Sequence, residues 1–84
     1  MTRLWGGGEP IAVEADEQGV PLRFDWRNRR HSVQRVANCW RADVGWWSGR
    51  TWREYFRLQT DTGCLVEIYV DLLAGQWYLQ RLYD

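Results

Sequence analysis

From Pro10 onward apolar and polar positions alternate with a period of two, and turn residues break the alternation at short intervals. That pattern predicts an antiparallel all-β domain. The segment WREYFRLQTDTGCLVEIYVD, Trp52 to Asp71, tests it most sharply. A loop over Asp61-Thr62-Gly63, with Gly63 left-handed, pairs Thr60 with Cys64, Leu58 with Val66 and Phe56 with Ile68. The opposite face then pairs Arg57 with Glu67, Tyr55 with Tyr69 and Arg53 with Asp71. One register satisfies both faces, and a slip of one residue would spoil both.

The same test places a loop over Leu72–Gly75, setting Val70 against Trp77, Ile68 against Leu79 and Tyr69 beside Tyr78. A loop over Asp16–Gly19 sets Val13 against Leu22 and Ile11 against Phe24. A tight turn on Asn28-Arg29 pairs Phe24 with Val33 and Trp26 with His31. The expected strands are about 10–15, 20–27, 30–41, 51–60, 64–71 and 76–83. A six-stranded antiparallel meander this short and twisted is expected to curl into a small SH3-like barrel, which hides its edges. Residues 1–9, with three consecutive glycines, read as a flexible N-terminal arm, and 10–84 as one small β domain.

Composition adjusts this picture. A chain of 84 residues closes only one modest core, and seven Trp, four Tyr and two Phe are its means of doing so. The eleven basic residues are all arginine and balance eleven acids, so formal net charge is zero. Without lysine there is no P-loop or Schiff-base lysine, and neutrality argues against coating duplex DNA by bulk charge. Two cysteines without a CxxC, beside a single histidine, make a metal site unexpected, and both thiols read as reduced and mostly buried. With no apolar run near the ~20 residues of a membrane span, the expected location is cytoplasmic.

Catalysis has little to work with: one imidazole, His31, and carboxylates Glu67 and Asp71 already facing arginines. No enzyme activity, cofactor or small-molecule substrate is expected. Two clusters invite a binding role instead. Arg27, Arg29 and Arg30 crowd a hairpin tip in WRNRRH, and like charges so close need a reason such as phosphate or an acidic partner. In GWWSGR, Trp46 and Trp47 cannot both point inward from an extended backbone. One of them is exposed or plugs the barrel, flanked by Arg41 and Arg50. Such a loop suits a protein interface, and the same aromatics with the arginine tip suit single-stranded nucleic acid.

The pattern WR…GWW…WREYFRLQT..G.LVEIYVDLL.G.WYLQRLYD, preceded by G.P..F.WR.RRHSV, resembles the C-terminal tail of ImuB-type proteins, inactive relatives of Y-family DNA polymerases. It also resembles a family of short stand-alone bacterial proteins built on that tail. The resemblance runs from about Gly19 to the last residue and departs at Asn28, where glycine is expected. It implies an adaptor in DNA repair or translesion synthesis, with a protein partner from that machinery, and implies no reaction. The expectation is thus a non-catalytic interaction domain using Arg41, Trp46, Trp47 and Arg50. The alternative is a single-stranded nucleic-acid binder using Arg27, Arg29, Arg30, Trp46 and Trp47.

Overall fold

A computed structural model describes residues 3–44 and 51–83 of the chain. Six strands follow one another: β1 (Arg3–Ala15), β2 (Pro21–Trp26), β3 (Arg29–Val44), β4 (Thr51–Thr60), β5 (Leu65–Asp71) and β6 (Gln76–Tyr83). Each pairs antiparallel with the next, and β1 also pairs with β6, so the meander closes into a barrel. Closure uses two strands that change partners partway along. β1 pairs with β6 up to Ile11 and with β2 from Ala12; β3 pairs with β2 up to Ser32 and with β4 from Val33.

The β4–β5 and β5–β6 ladders have the registers that the alternation predicts, including Leu58↔Val66, Tyr55↔Tyr69 and Val70↔Trp77. Gly63 takes φ +83°, and its N–H donates to the Thr60 carbonyl at 3.1 Å. At Leu72–Gly75, the Asp71 carboxylate accepts from the N–H groups of Leu73 and Ala74 at 3.0 and 3.2 Å, fixing the turn. Asp16 does the same for Gln18 and Val20 in the β1–β2 turn.

Three expectations are corrected. In β1–β2, Val13 pairs with Phe24 rather than Leu22, because a bulge opposite Glu14/Ala15 leaves Leu22 out of the ladder. Leu22 stands 42% exposed, and the slide lets Arg23 meet Glu14 at 2.7 Å. In β2–β3 the turn lies on Arg27-Asn28, so Phe24 pairs with His31 and Trp26 with Arg29. Both slides are by two residues, which preserves the inward face. Finally, β1 begins at Arg3, inside the stretch read as an arm, with Arg3↔Leu82 and Leu4↔Arg81 paired before a bulge that ends at Glu9.

Ile11, Phe24, Phe56, Leu58, Val66, Ile68, Val70, Leu79 and Leu82 form the core, with Trp26 and Trp77 packed against its rim. Full burial of such a side chain contributes about 1.5–3 kcal/mol. No helix is present among the described residues, so no helix is long and apolar enough to cross a membrane.

Candidate functional site

Trp40, Tyr55, Tyr69 and Tyr78 are successive cross-strand partners on the outer face of β3, β4, β5 and β6. Their rings touch in sequence: Trp40 lies flat on Tyr55 at 5.3 Å, Tyr55 tilts onto Tyr69 at 5.2 Å, and Tyr69 stacks on Tyr78 at 5.0 Å. Alternation finds the Tyr55/Tyr69/Tyr78 part of this row. Trp40 joins it because two irregularities between Val33 and Asn38 slide β3 by two residues along β4, setting Trp40 rather than Asn38 opposite Tyr55.

The row is a second, external core rather than an open platform. Tyr55 is 9% exposed and Tyr69 only 2%. Arg53 lies over the Tyr69 ring with Cζ 4.5 Å from its centroid and donates to the Tyr55 hydroxyl at 3.3 Å. The sequence pairs Arg53 with Asp71, and the two are cross-strand partners, but the guanidinium is spent on aromatic faces. Arg57 holds Glu67 at 3.5 Å, as the register requires, and also lies near the rings of Trp40 and Tyr83. The β1 backbone closes the other side. A Cβ on Gly8 would lie 2.7 Å from the Tyr78 Cβ and 2.9 Å from the Tyr69 hydroxyl, and Gly8 has φ +83°. Only glycine meets both conditions. Burial accordingly pushes the Tyr69 phenol above its ordinary range.

The β2–β3 turn is built differently. Arg27 has φ 52° and Asn28 φ 61°, the pair of positive angles that a two-residue hairpin turn of the right twist requires. Asparagine accepts that conformation readily; for arginine it costs on the order of 1 kcal/mol. Arg27, Arg29 and Arg30 are all exposed, so the turn carries like-charge repulsion as well as strain. Asp25 offsets part of it through an ion pair with Arg30 at 3.2 Å, exposed on both sides and so worth little. Arg27 instead places its guanidinium over Trp26, Cζ to centroid 4.7 Å.

Trp26 is fixed from the opposite edge, where its indole N–H donates to Glu9 at 2.7 Å. Trp26, Arg27 and Arg29 form a ridge between two depressions. The broader one is an open groove also lined by Pro10, Asn28, Arg30, Gln76 and Trp77. The other runs down to His31, Asp61 and Thr62. Trp26 and Trp77 therefore serve twice, packing against the core and lining the groove beside the arginine tip.

His31 supports this turn from beneath. Its ring is buried, stacks on Phe24 at 5.2 Å, and shares a hydrogen bond of 3.3 Å with the Thr62 hydroxyl, which bonds Thr60 at 2.8 Å. Burial, then the positive charge of Arg29, lowers its pKa, so the ring is neutral at neutral pH. Of the expected loop site, Arg41 is exposed on β3 with Nη2 3.4 Å from a Glu54 oxygen. Trp46, Trp47 and Arg50 lie outside the described residues. Among the described residues no three His, Cys, Asp or Glu side chains gather as metal ligands. Cys39 is exposed and Cys64 half-buried, so the first thiol departs from the buried reading.

No curated protein and no solved structure matches the chain. A family model does match, over residues 7–84, which takes in all of the barrel except the first residues of β1. The chain therefore belongs to the family described as Domain of unknown function (DUF6504).

Proposed function

We propose that this protein is a non-catalytic interaction module, an adaptor of the DNA-repair or translesion-synthesis machinery, that holds an anionic partner in the groove beside the β2–β3 turn. The observation that carries this reading is the turn itself. Three arginines crowd it and one of them takes a left-handed backbone, where glycine or asparagine would fold at lower cost. A site that is unfavourable twice over gains a rationale if an anion neutralises it. The link to DNA repair comes from the resemblance of the GWW…WREYFRLQT pattern to ImuB-type tails.

The loop contact through Arg41, Trp46, Trp47 and Arg50 is the competing surface, and Arg41 is already engaged with Glu54. Affinity capture from a bacterial lysate, with and without nuclease and with captured molecules identified, separates the two. The native chain is expected to retain a DNA-repair polypeptide or nucleic acid that Arg29→Glu/Arg30→Glu does not retain. Undiminished capture by that variant, with loss in Trp46→Ala/Trp47→Ala, would move the contact to the loop and overturn the groove.

A further inference from the structure

We infer that the ligand of this groove is single-stranded nucleic acid, and that Trp26 is a base-stacking surface which Arg27 covers in the free protein. The inference rests on the reading of the groove as the binding surface and names what fills it. Phosphodiesters are recognised by exposed guanidinium groups, and bases by flat aromatic faces a few ångströms away. Here both meet at one groove: Arg27, Arg29 and Arg30 at the turn, Trp26 beneath Arg27, and Trp77 in the same lining.

An acidic peptide would satisfy the arginines but would need apolar side chains set among its acids to use the two indoles, whereas every nucleotide carries a phosphate and a flat ring together. A duplex would satisfy them too, but its bases are stacked on one another and cannot stack on the indoles. Of the carboxylates around the ridge, Asp25 holds Arg30, Glu9 accepts from the Trp26 N–H and Asp61 accepts from the Ser32 N–H, which limits their repulsion of a phosphate. Arg27 is the moving part. It is exposed, it sits 4.7 Å over the indole, and a base taking that face would release its guanidinium to the adjoining phosphate. A cation that guards an aromatic face until an anionic, planar ligand arrives discourages purely apolar contacts at the same place.

Fluorescence anisotropy with a labelled oligo-dT of twelve nucleotides tests this directly. Micromolar binding at low salt is expected, weakening with a log–log salt slope of about −2 if three phosphates are contacted on a single strand. Arg27→Gly is the decisive variant, because glycine relieves the left-handed turn and its urea midpoint reports separately whether the fold is kept. It is expected to keep or raise the urea midpoint while weakening the oligonucleotide at least fivefold. Trp26→Leu should weaken it more than Trp26→Phe does. Unchanged affinity in Arg27→Gly, equal affinity for the matching duplex, or no binding at tens of micromolar protein would each overturn the inference. If lysate capture survives nuclease while the oligonucleotide fails to bind, the partner is an acidic protein: the groove stands and this inference falls.

Discussion

On the outer face of β4 and β5, Arg53 lies over a tyrosine ring that scarcely meets solvent; at the β2–β3 turn, Arg27 lies over Trp26 at nearly the same distance, beside an open groove. The pairwise contact is the same in both, and its surroundings decide what it is for. Arg53 sits on a relaxed strand, hydrogen-bonds a neighbouring hydroxyl, and shares its ring with Tyr55, Tyr78 and the backbone of Gly8. Arg27 sits on a strained turn among like charges. The first is a lid that completes packing, and the second is a cation kept at a structural cost. An arginine over an aromatic ring is thus a weak sign of function until the backbone beneath it is known.

Substitutions can break the comparison. Tyr69→Ala should cost most, about 3–5 kcal/mol in urea unfolding, because it removes the centre of a four-ring row and opens a cavity under Arg53. Gly8→Ala should follow, at roughly 2–3 kcal/mol, since it combines a positive φ with a contact too short for any Cβ. If that variant is as stable as the native chain, the outer row is not sealed by β1. Arg53→Ala should lose about 1 kcal/mol, whereas Arg27→Gly should lose nothing or gain a few tenths. Equal losses at the two positions would erase the difference between lid and guard.

The smallest effect concerns pH. His31 is a poorer base folded than unfolded, so its contribution to stability is whole above the ordinary imidazole value of 6.5 and declines as pH falls below it. Urea midpoints measured from neutral to mildly acidic pH should show that decline, and His31→Gln should flatten it. A decline that persists unchanged in the variant would assign it to carboxylates instead.

Much of the barrel was legible because its turns are chemically explicit. Asp61-Thr62-Gly63 and Asp71 through Gly75 each carry an acid that bonds backbone or a glycine that accepts positive φ, and between them they lock two ladders. The β1–β2 register was not legible, since a bulge that expels Leu22 leaves the alternation on either side intact. Nor was the β2–β3 turn, because nothing in WRNRRH announces that arginine rather than a better-suited residue takes the first left-handed position. The arginine tip was readable from charge alone. That Trp26 and Trp77 flank it was not, because both also satisfy the core pattern, and alternation cannot show one side chain doing two things.

The two strands that change partners, β1 and β3, also set an order of assembly. The β4–β5 and β5–β6 pairings close over tight turns, at little loss of chain entropy, while Arg3↔Leu82 joins positions nearly a whole chain apart. The β1–β6 ladder should therefore form last and open first. Until Gly8 settles onto Tyr69, the outer aromatic row is bare on a nearly finished sheet. Loosening β1, as Gly8→Ala does, should therefore uncover the aromatic row before the rest of the barrel unfolds.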